Sequence, residues 1–167
     1  MKRIYQFAVV LAGIGALVVL GLPRNGGAAA GSGVAAFSIV AAQTPANGEL
    51  NYNGTDKGHL VITVPLGATV KLTLSNKGSL PHSLEVIPYT NTLPAQALPT
   101  PAFPGAVTHN PQVGITKGQT ATIQFTAGKA GKYQFICGFP GHALLGMWGT
   151  FQVSPSATAK PSLTVNK

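Results

Sequence analysis

Residues 137–147 read Cys137-Gly138-Phe139-Pro140-Gly141-His142-Ala143-Leu144-Leu145-Gly146-Met147 and hold the chain's only cysteine and one of its two methionines. A thiolate, an imidazole and a thioether are therefore evenly spaced along a short Gly/Pro-rich loop. Soft sulfur donors favour Cu(I), and imidazole serves both Cu(I) and Cu(II). A trigonal set of two histidines and one cysteine with a weak axial methionine is the blue-copper electron-transfer arrangement. The loop supplies one Cys, one His and one Met, so a second imidazole must come from elsewhere. His82 is the candidate.

Each of these residues has a plainer reading when taken alone. A histidine at a strand start is usually a satisfied core or surface residue. A single cysteine is usually a small buried hydrophobe, and Met147 suits an ordinary core. The joint pattern, Cys-x4-His-x4-Met between two strands with a strand-leading His upstream, points to a metal site instead. His59 and His109 have no such partners and read as surface residues.

The elements that must position these donors follow from period-2 patterning. Strands are expected at Val34–Ala42, His59–Val64, Thr69–Ser75, His82–Ile87, Gln119–Thr126, Lys132–Cys137 and Met147–Val153. Asn47–Gly58 is turn-like, and residues 89–112 carry five prolines without periodicity, so they form a long loop. Loops of that length in compact domains are often functional. Short strands, Gly/Pro turns and no good helix predict an all-β fold, a Greek-key β-sandwich or barrel. Alternation then aims the donors: His82 shares a face with Leu84 and Val86, and Cys137 with Tyr133 and Phe135. Both point between the sheets, and the loop returns His142 and Met147 over the same end.

Residues 1–24 combine Met1-Lys2-Arg3 with an uncharged run over 4–22 closed by Pro23 and Arg24. The run is long enough to cross a bilayer core as a helix. It favours a retained membrane anchor with the rest of the chain outside the cytoplasm. The small residues at 26–31 also permit signal-peptidase cleavage, which would leave a secreted or periplasmic protein. Residues 25–33 read as a Gly/Ala linker, 34–154 as the folded domain, and 155–167 as a flexible tail.

The chain is 45% hydrophobic and 8% charged, with a formal net charge of +8. Its lysines are scattered, without a basic stripe or aromatic interleaving, which argues against nucleic acid. Only Glu49, Asp56 and Glu85 are acidic. Acid unfolding comes largely from carboxylates that must protonate, so so few of them suit an acidic medium. A lone cysteine in an exported chain is explained by metal ligation.

Leu80-Pro81-His82-Ser83-Leu84, Asn110-Pro111-Gln112 and Phe135 through Gly149 carry a family resemblance spanning roughly residues 34–153. The sequence resembles the cupredoxins, most closely the sulfocyanins of acid-living archaea, with rusticyanin as near kin. The loop spacing and Ser83 after the first histidine match these two groups rather than plastocyanins. The resemblance implies one copper ion held by His82, Cys137, His142 and Met147. It also implies a membrane-anchored electron carrier feeding a terminal oxidase complex in a respiratory chain.

In that setting Ser83 is expected to hydrogen-bond near the Cys137 sulfur. Phe139, Pro140, Leu144, Leu145 and Trp148 are expected to form an apolar shell and its rim. A hydrophobic patch around His142 is the expected docking face of a monomer. The main rival is a non-redox copper carrier or chaperone. An enzyme is disfavoured: a dinuclear copper centre needs a second cysteine in the loop, and a multicopper oxidase would flank the cysteine with histidines, where Ile136 and Gly138 stand.

Overall fold

The computed structural model describes residues 33–166. The expected N-terminal hydrophobic helix, and the linker up to residue 32, lie outside the described residues. Among the described residues no helix is long and apolar enough to cross a membrane.

Among the described residues there are eight strands: β1 Val34–Ala41, β2 Gly58–Pro65, β3 Thr69–Asn76, β4 Glu85–Pro88, β5 Thr120–Thr126, β6 Gly131–Ile136, β7 Trp148–Ser154 and β8 Ser162–Val165. Alternation in sequence becomes alternation in burial. Leu60, Ile62 and Val64 of β2, Val70, Leu72 and Leu74 of β3, and Phe151 and Val153 of β7 all face one shared core. Burying each such side chain contributes about 1.5–3 kcal/mol.

The strands lie in two sheets ordered β1-β3-β5 and β4-β6-β7-β2-β8. From β1 to β6 the chain changes sheet at every step, so neighbours in sequence face each other across the core. β1 runs parallel to β3 and β2 parallel to β7, while the remaining pairs are antiparallel. The β4–β6 pair matters most for function. Glu85 sits opposite Ile136, so the chain leading from His82 and the chain leading to Cys137 meet at one end of the sandwich.

Two expectations need correction. The fourth strand begins at Glu85 rather than His82, which instead makes an isolated bridge with Ile115. The 89–112 loop has no strand, as expected. It sends Phe103 into the core, 4.8 Å from the Tyr133 ring and 5.4 Å from Phe125. The segment 155–167, expected to be a flexible tail, contains β8, which pairs with β2 from Leu60↔Val165 to Thr63↔Ser162. Four residues are too few to display a period, and what recruits them is the row of backbone groups along β2 that would otherwise lack partners.

Candidate metal centre

His82 arrives on the segment before β4, locked by a reciprocal pair of backbone bonds with Ile115, 3.1 Å and 2.7 Å. Gly114 beside it has φ +75°, and a Cβ there would lie 2.8 Å from the His82 carbonyl oxygen. Only glycine lets that loop lie so close. Cys137 follows the last residue of β6, and its N–H donates to Met147 O at 3.1 Å. The Met147 N–H in turn donates to His142 O at 3.0 Å. The loop is thus closed on itself, with both sulfur-bearing residues at its neck.

The structure brings His82, Cys137 and His142 together, with one donor atom from each lying within 4.8 Å of the others. Cys137 Sγ is 3.5 Å from His142 Nδ1, and the two imidazole centroids are 5.2 Å apart. Met147 is fully buried in the same core cluster as Cys137. His82 is also fully buried, yet neither of its ring nitrogens has a hydrogen-bond partner. A buried polar group left unpaired is costly, and an ion is one of the few things that explains it.

Burial, with His142 as a second cause, pushes His82 down to about 4. Burial also lowers His142. Both rings therefore stay neutral with lone pairs free to ligate. Burial raises the Cys137 thiol, against a pull downward from N–H and O–H groups led by Ser83. The donor chemistry fits copper: two neutral imidazoles and one cysteine sulfur, with Met147 buried in the same core cluster.

Ser83 lies against the Cys137 sulfur. Its N–H points at Cys137 Sγ from 3.4 Å and its hydroxyl lies 3.8 Å away. The same hydroxyl accepts from Gly138 N–H at 2.8 Å, tying the two ligand segments together. Such outer contacts fix ligand orientation and tune the metal. The Phe139 ring lies over His142 with centroids 4.5 Å apart. Pro140, Leu144 and Leu145 are exposed at the rim. Trp148 is placed differently. It packs with Ile87, Ile136 and Ala143 in a satellite cluster, because it pairs with Ile136 and so points to the outer face of its sheet. His59 and His109 are exposed, away from this set.

Sequence reading missed a brace on the opposite side. The turn-like segment after β1 contributes Tyr52, fully buried, whose hydroxyl donates to Ser83 O at 2.5 Å. Asn47 Nδ2 donates to Leu145 O at 2.9 Å, and Lys57 N–H donates to Gly146 O at 2.8 Å. Glu49 accepts from both the N–H and the hydroxyl of Ser79, three residues before His82. The only signal in the sequence was a tyrosine set among turn residues.

A two-sheet sandwich carrying a His–Cys–His set at one end defines the cupredoxin class. The family model for the sulfocyanin (SoxE) domain matches residues 29–164. The chain is 34% identical over 137 residues to sulfocyanin from Sulfolobus acidocaldarius, a match covering 74% of this chain and 65% of that protein. It therefore spans just under two thirds of that relative's length. Reduced auracyanin from Roseiflexus castenholzii has the same fold, with a TM-score of 0.52 at 24% identity, covering 72% of this chain and 98% of that one. The copper protein rusticyanin gives a TM-score of 0.50 at 25% identity, over 72% of this chain and 78% of that one. The chain belongs to the sulfocyanin family.

Proposed function

We propose that this chain is a mononuclear type 1 copper protein that carries single electrons on the outer side of the cell membrane. The observation that carries the reading is the convergence of His82, Cys137 and His142 with both His82 nitrogens unpaired in the core. When bound there, copper supplies one-electron exchange between Cu(I) and Cu(II). The chain's own residues do the rest. His82, Cys137 and His142 would hold the ion, with the Met147 thioether as a further donor, and Ser83 steadies the sulfur. The surrounding core excludes water, and a thioether donor in an apolar shell would favour Cu(I) and raise the potential.

Electrons enter and leave at the His142 end. Leu80, Leu144 and Leu145 are 41%, 56% and 60% exposed near the loop and its neighbouring His82 segment. We read them as a docking face for a redox partner such as a terminal oxidase complex. The contact is apolar, because the chain's scarce carboxylates give little to steer with. Membership of the sulfocyanin family supports a carrier rather than an enzyme.

The test is addition of Cu(II) to the purified protein. An intense blue visible band that bleaches on reduction supports the electron carrier. A colourless complex favours the rival, a non-redox copper carrier, and absence of binding sinks both.

A further inference from the structure

Glu85 is the one carboxylate of the described chain that is fully buried. It stands at the start of β4, opposite Ile136, and its side chain points away from Leu84 and Val86, to the outer face of the sheet. There it meets the 89–112 loop. Its Oε2 accepts from Leu98 N–H at 3.0 Å, and its Oε1 has no partner. From the same stretch of loop, Ala97 N–H donates to Gly138 O at 3.0 Å, and Ala95 O accepts from Gly141 N–H at 2.7 Å. Ala97 is seated so closely that a Cβ on Gly138 would lie 2.7 Å from its own Cβ. Residues 95–98 are therefore a strap, hydrogen-bonded to the turn between Cys137 and His142 at both of its ends. Glu85 holds the strap from below.

We propose that Glu85 is a positioning residue for the copper loop, anchoring the 95–98 strap that sets the Cys137–His142 turn. The inference rests on the copper reading above. The Glu85 carboxyl makes no hydrogen bond to the metal-binding residues and acts through the strap. A neutral carboxyl suits this task, and burial raises Glu85 to about 7. Among the described residues no cation lies close enough to balance its charge. On β6, Lys132 sits over the Tyr89 ring at 4.4 Å and Gln134 accepts from Thr90 N–H, which leaves Ile136 opposite Glu85. Val107 bridges it from the loop, and His82 and Cys137 face the inner side of the sheet. In acid the strap is clamped by an uncharged group. Past neutrality, a charge forms in a site that does not solvate it.

The experiment compares wild type with Glu85→Gln and Glu85→Ala, metal-free and copper-loaded. In the metal-free proteins, hydrogen-exchange protection of the Ala97 and Gly141 amides is read across pH. Glu85→Ala lowers protection by about tenfold, the factor one lost hydrogen bond supplies. Glu85→Gln keeps an acceptor and holds protection at the wild-type acid level. Wild type loses protection as pH rises through about 7, whereas Glu85→Gln stays flat. In the copper-loaded proteins the reduction potential follows the same pattern. Equal protection in Glu85→Ala and wild type overturns the proposal, as does a Glu85→Gln profile that bends like wild type. Should Glu85→Ala fail to fold, the Glu85→Gln profile decides alone. A wild type without a visible copper band would instead sink the copper reading, while the metal-free exchange data still judge the strap.

Discussion

At the scale of single residues, the ligand histidines make metal-free and copper-loaded protein answer acid differently. His82 lies at about 4 in the fold against an ordinary 6.5. An unfolded chain therefore binds more protons through that window, and stability falls as pH drops from about 6.5 through about 4. Ligation keeps the ring unprotonated, so thermal melts with copper bound should hold their Tm across the window where metal-free protein declines. Superimposable melts would contradict ligation by His82. Glu85 acts with the opposite sign. Its raised value makes the fold bind the extra proton, so its contribution is full below 4.5 and is lost as pH rises through about 7. The donors themselves separate by spectrum. Cys137→Ser should abolish the visible band, whereas Met147→Leu should keep the band and raise the potential.

At the scale of elements, two backbone segments far apart in sequence support one loop. The 47–57 brace works mainly through Tyr52, whose hydroxyl satisfies the buried Ser83 carbonyl. Tyr52→Phe leaves that carbonyl unpaired and should cost about 1–3 kcal/mol, readable as a lower urea midpoint. The β6–β7 pair carries a tighter constraint. Phe135 lies opposite Gly149, and a Cβ on Gly149 would fall 2.0 Å from the Phe135 ring. Gly149→Ala should destabilise by about 1–3 kcal/mol through overpacking, and chemical denaturation would measure it. The strand pattern was legible because burial alternates along β2, β3 and β7. The strap and the brace were not, because neither has a period: they are turns whose meaning lies in what they touch.

At the scale of the whole molecule, a formal charge of +8 coexists with exposed leucines at the metal end. An apolar docking face predicts that electron transfer to a partner depends weakly on salt, since screening acts on exposed charges. A rate that falls steeply with ionic strength would contradict it. Leu144→Lys should slow the partner reaction while leaving the potential of the isolated protein unchanged, measured by stopped-flow mixing and by redox titration of the same sample.

The amino-acid sequence by itself determined the donor types, their spacing and the faces on which His82 and Cys137 lie, since alternation is a local property of the extended chain. It also carried the likeness to the sulfocyanins. Only the tertiary structure decided that Trp148 turns outward, that the last segment adds an eighth strand, and that Glu85 is sealed beneath the loop. Those outcomes depend on which distant backbone groups need partners once the sheets have closed, and no stretch of sequence read alone contains that information.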